Sequence, residues 1–152
     1  MRAAKPRKKS AQKRRTQVHE NPYQIFIKTL RTWAASAPPD MRGEPPREKL
    51  LDAMLRLFEA LDAAGLKTAK PDPAWLAPLV HAVRWQLLVL DIPAPPGLEP
   101  AASYVLALAA ARWLPIWQSD KTMGQSRLMA AIDRDLNRLD AAAQHWNRLW
   151  SR

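Results

Sequence analysis

Apolar side chains recur along this 152-residue chain at the three- and four-residue spacing of α-helices. The clearest case lies near the C-terminus, where seven apolar positions follow one another at intervals of 3, 4, 3, 4, 3 and 4 residues. These positions are Met129, Ile132, Leu136, Leu139, Ala143, Trp146 and Trp150. The spacing predicts one helix with a single apolar seam, as in helices that pack nearly parallel to a partner.

Two amphipathic helices are predicted in the first half of the chain. The first runs from Pro22, with Asn21 as its cap, to about Ala37, where a proline pair stops it. The second spans about 46–65, and Gly65 is a typical residue just past a helix C-terminus. Its apolar residues form a wide face that can contact two neighbouring helices at once.

The third and fourth helices are also bounded by prolines. The third begins at Asp72-Pro73 and becomes apolar almost all round over 85–90, which predicts a central, enclosed helix. The fourth runs over about 101–117 and contains Pro115. Because proline removes a backbone hydrogen bond and clashes with the preceding turn, we expect a kink or an early end there. No stretch alternates with period two, so the pattern predicts an all-α bundle of about five helices.

Composition limits the class of protein. The 47% hydrophobic content suits one helical domain, predicted over 21–152, and the absence of cysteine excludes disulfides, thiolate catalysis and cysteine metal sites. His19, His81 and His145 lie far apart and have no companions at metal-ligand spacing. The sequence also has no phosphate-binding glycine loop and no paired carboxylates in an apolar setting. It therefore predicts a non-enzymatic protein with no catalytic residues, metal or cofactor.

Most of the formal charge of +10 belongs to the N-terminus. Residues 1–20 hold eight Lys and Arg against one acid, Glu20, which leaves only +3 for the remainder. This composition predicts a disordered tail, and it lacks the apolar region of a secretory signal. The longest uncharged apolar run ends at Arg112 and falls short of the ~20 residues of a membrane-spanning helix. We expect a soluble, cytoplasmic protein.

The tail can neutralise several phosphates, so salt-sensitive contact with nucleic acid or another polyanion is expected. It has no interleaved aromatic residues and no rigid scaffold, so it is unsuited to reading bases. A terminus that only improves solubility is the simpler alternative. The candidate contacts are Lys5, Arg7, Lys8, Lys9, Lys13, Arg14 and Arg15.

The tryptophans suggest both a core and a ligand pocket. Five of the seven are predicted to fill the core, and some of them could frame an apolar cavity between helices. The five are Trp33, Trp75, Trp85, Trp113 and Trp117. His81 and Arg84 stand beside Trp85, so these three residues, with Trp113 and Trp117, form the candidate ligand pocket. A partly buried histidine satisfied by the backbone is the simpler interpretation of His81.

The last helix carries two further features. Trp146 and Trp150 suit packing on the first helix or, alternatively, contact with a partner or a membrane interface. Asp133 and Asp135 alternate with arginines, and Asp135 lies three residues before Arg138. That spacing predicts a solvated ion-pair face.

Two segments resemble a known family. IWQSDKTMGQSRLMAAIDRDLNRLDAA, residues 116–142, resembles the end of the regulatory domain in a group of α-proteobacterial TetR-like proteins, which typically shows a Trp, an acidic turn and a helix like TMAALDRxLRRAE. EPPREKLLDAMLRLFEAL, residues 44–61, resembles the helix after that group's DNA-binding head. The matching positions in the first segment are Trp117, Ser119, Asp120, Met129, Ala130, Ala131, Ile132, Asp133, Arg134 and Leu136.

The resemblance implies a TetR regulatory-domain-like fold with an apolar pocket for a small molecule or lipid. It also implies a homodimer formed through the last two helices, with Met129, Ile132, Leu136 and Leu139 at the interface. The group shades into the ubiquinone-biosynthesis accessory proteins, which bind lipid in a TetR-like fold. Residues 1–40 supply no helix-turn-helix ending in Tyr-x-x-Phe-x-x-Lys, so sequence-specific operator binding is not expected.

These observations lead to one functional hypothesis and two alternatives. The leading hypothesis is a non-enzymatic TetR-like regulatory domain that binds an apolar ligand, forms homodimers and contacts nucleic acid through its basic tail. A lipid-binding accessory protein of quinone biosynthesis is the first alternative. A structural component of a nucleoprotein assembly is the second.

Overall fold

The computed structural model describes residues 20–38 and 41–151, and the predicted nucleic-acid contacts of the tail lie outside them. The described residues form five α-helices and three short 3-10 turns, with no β-strand among them. The helices are α1 (Pro22–Ala35), α2 (Pro46–Ala63), α3 (Leu76–Val89), α4 (Glu99–Ser119) and α5 (Ser126–Trp150). The predicted all-α bundle of about five helices is confirmed.

Local side-chain chemistry places several helix boundaries. The Asn21 carboxamide oxygen accepts a hydrogen bond from the Tyr23 amide at 3.1 Å, and α1 follows directly. The Asp72 carboxylate accepts one from the Ala74 amide at 2.8 Å in the 3-10 turn that leads into α3. After α2, Gly65 adopts φ 75°, a left-handed conformation that glycine takes without steric cost.

The expectation of an early end at Pro115 is wrong, because α4 continues through this residue to Ser119. Pro115 is exposed, so the carbonyl of Ala111 loses its helical donor on a side of the helix that water can reach. Trp113 and Trp117 on either side are both fully buried. Their packing holds the helix together across the missing hydrogen bond.

α1 and α3 lie side by side and run in the same direction. Near their N-terminal ends the ring of Phe26 stacks on that of Trp75 with centroids 4.3 Å apart. Near their C-terminal ends the Gln86 side chain donates a hydrogen bond to the Ser36 carbonyl at 3.1 Å. α2 packs against α1, where the Trp33 indole donates a hydrogen bond to the Ala53 carbonyl at 2.8 Å, and against α5.

α3 lies at the surface, so the prediction of a central, enclosed helix is wrong. One side of α3 packs on α1 and α4, whereas Trp85 and Leu88 on its other side are 57% and 68% exposed. A helix that is apolar on every side is enclosed only if neighbouring helices cover every side. The predicted core role is therefore wrong for Trp85 and is confirmed for Trp33, Trp75, Trp113 and Trp117.

The predicted ion pair between Asp135 and Arg138 is present, with a guanidinium nitrogen 3.9 Å from the carboxylate, but Asp135 is buried and not solvated. Its carboxylate accepts a hydrogen bond from the Trp113 indole at 2.8 Å, and Arg134 lies 3.4 Å away. Burial acts to raise the pKa of Asp135, but the hydrogen bond from Trp113 and the charge of Arg134 outweigh it and hold the pKa below its usual value. This contact joins α4 to α5.

Asp120, in the turn between α4 and α5, is also buried. Its carboxylate accepts hydrogen bonds from the hydroxyl and amide of Thr122, at 2.5 and 3.0 Å, and from the Leu128 amide at 2.9 Å. The Thr122 hydroxyl is the main cause that lowers the pKa of Asp120 to about 2. The residue therefore fixes the start of α5 relative to the end of α4.

Candidate functional site

An apolar cavity lies where four parts of the bundle meet. These parts are the start of α2, the connection between α3 and α4, the first half of α4 and the second half of α5. The cavity volume is about 380 Å³, within the range of small-molecule sites in proteins. Its larger apolar side chains include Leu50, Leu87, Leu98, Val105, Leu139 and Trp146.

The cavity exists because the residues around it are small or conformationally restricted. Ala101 and Ala102 on α4 and Ala142 and Ala143 on α5 line it, and their methyl groups leave the space between the two helices unfilled. The connection PAPPG, residues 93–97, contains three prolines and ends on a glycine. Such a segment does not form a helix, so it borders the cavity as an irregular connection and does not fill it.

Among the described residues, two charged side chains line the cavity, Arg47 on α2 and Asp140 on α5. The Asp140 carboxylate accepts a hydrogen bond from the Gln144 side chain at 2.9 Å, whereas Arg47 is paired with acidic residues. The Arg47 guanidinium donates hydrogen bonds to Glu48 at 2.7 Å, to Asn137 at 2.5 Å and to Asp133. The hydrogen bond to Glu48 is the main cause that raises the pKa of Arg47 above its usual value, and Asp133 adds to it. Two carboxylates thus balance this cation, and the interior of the cavity favours an uncharged, apolar group.

Trp146 lines the cavity from the far end of α5. Its indole nitrogen donates a hydrogen bond to the Pro96 carbonyl at 2.9 Å, and its ring lies 6.0 Å from that of Trp150. The side chain is partly buried and joins the end of α5 to the α3–α4 connection. Sequence patterns suggested packing on α1 or a partner surface, whereas Trp146 instead lies beside the cavity and Trp150 is 63% exposed.

The structure separates the five residues predicted to form a ligand pocket. His81, Arg84 and Trp85 lie together along a groove between α1 and α3 at the surface. Trp113 and Trp117 have no exposed area and belong to the core. Trp113 contacts Asp135 of α5, and the ring of Trp117 lies 5.6 Å from that of Phe58 on α2.

The residues predicted for a dimer interface mostly face the inside of the bundle. Ile132 and Leu136 are 0% and 1% exposed, and Leu139 is partly buried. Ile132 and Leu136 therefore offer no surface to a second copy in this fold, whereas Met129 is 37% exposed. Leu136 and Leu139 also line the cavity.

Sequence reasoning missed this cavity, although two signals for it are present. One is the occurrence of adjacent alanines at 101–102 and 141–143, on the two helices that face each other. The other is the proline-rich connection at 93–97, which keeps helical residues out of the space. Neither signal is specific, because alanines and prolines are common throughout this chain.

Within the part of the chain that the structure describes, no three His, Asp or Glu side chains form a group that could hold a metal ion. Among the same residues, no helix has both the length and the hydropathy needed to cross a membrane. Comparisons of the chain with protein-family models, with curated proteins and with solved structures gave no match. The cavity and the surface of this chain are therefore the grounds for a functional proposal.

Proposed function

We propose that the chain is a non-enzymatic, TetR-like regulatory domain that holds an apolar small molecule or lipid tail between α2, α4 and α5. The observation that carries this proposal is the apolar cavity of about 380 Å³, whose lining cation, Arg47, is paired with Glu48 and Asp133. The resemblance to TetR-like proteins supports it, since the similar segment 44–61 covers most of α2 and the segment 116–142 covers much of α5. A cytoplasmic location is part of the proposal.

Burial of apolar surface supplies the binding free energy in such a site. At about 0.8 kcal/mol for each buried methylene, a ligand with roughly six buried methylenes gains about 5 kcal/mol before the entropic cost of association. Because Arg47 is already paired with two carboxylates, a charged ligand head would have to break these contacts. The proposed ligand is therefore uncharged in the part that enters the cavity.

Filling the cavity tests this proposal. We expect Ala143→Phe to weaken binding of the neutral dye N-phenyl-1-naphthylamine at least about tenfold, because its ring would occupy the space between α4 and α5. Dye fluorescence gives the affinity, and thermal unfolding monitored by circular dichroism verifies the fold. Ala141→Phe is the matched control, because Ala141 is exposed on the same helix and does not line the cavity. Equal dye binding by the two variants would overturn the proposal.

We also propose that the basic tail contacts nucleic acid without sequence specificity. Deletion of residues 2–15 removes eight positive charges. Because each neutralised phosphate contributes about −0.9 to the slope of log K against log salt for duplex DNA, the deletion should lower affinity at least about tenfold near 0.1 M salt and flatten that slope. Fluorescence anisotropy with a labelled duplex measures both quantities. A tail with the same residues in scrambled order should bind as the original does, whereas undiminished binding by the deleted chain would refute the proposal.

Homodimerisation remains a prediction, and its interface has to use residues other than Ile132 and Leu136. A lipid-binding accessory protein of quinone biosynthesis would use the same apolar cavity, so that alternative also draws support from the cavity. Native mass spectrometry of the full chain separates these possibilities, because it reports the number of copies and the mass of any retained molecule. A retained isoprenoid or quinone would favour the alternative.

A further inference from the structure

The parallel helices α1 and α3 leave an open groove along the surface of the bundle, with a volume of about 650 Å³. Its floor consists of the buried residues Leu30, Ala34 and Ala82. Trp85 and Leu88 stand beside the floor on α3 and are 57% and 68% exposed. We call this feature the α1–α3 groove. It shares no lining residue with the apolar cavity, so it is independent of the proposed function.

The charge in the α1–α3 groove has a single sign. Arg31 on α1 and Arg84 on α3 line it, together with His81, and no acidic side chain of the described residues does so. Within residues 20–38 and 41–151, neither arginine forms a salt bridge. The α1–α3 groove therefore presents apolar surface next to positive charge.

We propose that the α1–α3 groove binds an acidic amphipathic helix of another protein. The apolar face of that helix would lie on Trp85 and Leu88, and its carboxylates would meet Arg31 and Arg84. Large exposed hydrophobic side chains next to one another mark interaction sites, and Trp and Arg are the residues that most often dominate binding energy. The lining residues span 27–34 on α1 and 78–88 on α3, so at about 1.5 Å per residue the groove extends roughly 16 Å, or about three helical turns.

Charge and shape favour this occupant over the others. The tail at 1–20 and a second copy of the chain both bring positive charge, since the chain carries +10 in total. Like charges would therefore face Arg31 and Arg84. An anionic membrane has the right charge, but a groove floored between two parallel helices fits a rod better than a plane.

The test uses the full chain and a designed 18-residue helical peptide with leucines on one face and glutamates on the other. A second peptide carries lysine in place of every glutamate. In titration calorimetry at about 0.15 M salt, the acidic peptide should bind and the basic peptide should not, because only the acidic one complements the arginines. Trp85→Ala and Arg84→Glu should each weaken binding of the acidic peptide at least about tenfold.

Two control variants on α5 test whether the peptide binds the groove or another part of the surface. Trp150→Ala removes a tryptophan of similar exposure, and Arg127→Glu reverses an exposed arginine on α5; neither residue lines the groove. Both should leave binding unchanged. The proposal is overturned if Trp85→Ala and Trp150→Ala bind alike, which would place the peptide outside the α1–α3 groove. It is also overturned if phosphatidylglycerol vesicles, and not the peptide, bind with the same dependence on Trp85 and Arg84, since the groove would then contact membranes.

Discussion

Replacing Leu136 by glutamate is expected to unfold the domain and not to release a folded monomer. Leu136 is 1% exposed and lies in the core beside Ile132. A carboxylate at this position would be buried without a partner, which costs about 4 kcal/mol or more. That cost is comparable to the total stability of about 5–15 kcal/mol of a typical domain. Urea unfolding followed by circular dichroism measures the loss.

Met129→Glu is the control for this prediction. Met129 lies on the same helix and is 37% exposed, so the same added charge should change the free energy of unfolding by less than about 1 kcal/mol. The pair of variants distinguishes a core position from an interface position. A Leu136→Glu protein that stays folded while changing from dimer to monomer in light scattering would contradict the burial described above. That result would instead support the apolar seam of α5 as a dimer interface.

Trp113→Ala is expected to destabilise the domain by about 3–5 kcal/mol, whereas Trp85→Ala should cost less than about 1 kcal/mol. Trp113 is fully buried, and its loss leaves a large cavity and removes the hydrogen-bond donor of Asp135. Trp85 is 57% exposed and packs on one side only. Urea denaturation monitored by far-ultraviolet circular dichroism compares the two variants on one scale.

Trp113→Phe separates the two contributions of this tryptophan. It keeps most of the aromatic volume and removes the donor together with a small part of the ring system, so about 1–2 kcal/mol of the loss should remain. If Trp85→Ala proves as damaging as Trp113→Ala, α3 must be enclosed after all. The exposure of Trp85 described above would then be contradicted.

Helix boundaries could be predicted from the sequence because their causes are local. Asn21 before Pro22 and Asp72 before Pro73 each accept a backbone hydrogen bond within two residues, so no distant part of the chain has to be known. The left-handed conformation of Gly65 is likewise a property of one residue. The spacing of apolar residues in α5 placed Ile132 and Leu136 on its buried face, but Met129 and Trp150 of the same predicted seam are exposed.

The partner of a buried face could not be predicted in this way. The seam of α5 is apolar whether it meets α2 and α4 of the same chain or a second copy, and the pattern contains no information that separates these cases. Along α3 the apolar residues surround the helix, so their spacing does not distinguish the exposed Trp85 from the buried Val83. Asp135 could have been placed inside, because it lies three residues after Ile132 on the same face of α5.

The cavity depends on register between distant segments. The alanines at 101–102 face those at 142–143 because the contact of Trp113 with Asp135 and the turn held by Asp120 fix α4 against α5. The rim contact between Arg47 and Asp133 spans 86 residues of sequence. Such pairings depend on tertiary packing, and single-residue patterns do not determine them.

The four alanines of α4 and α5 that line the cavity have a consequence for how chains of this kind diverge. Ala101, Ala102, Ala142 and Ala143 border the cavity, yet none of them belongs to the buried core. Exchange of one alanine for valine or leucine therefore reduces the space available to a ligand and leaves the packing of the tryptophan core in place. Selection on ligand size and selection on folding act on different residues here. Descendants of one ancestral bundle can thus acquire differently sized ligands through single substitutions, without passing through an unstable intermediate.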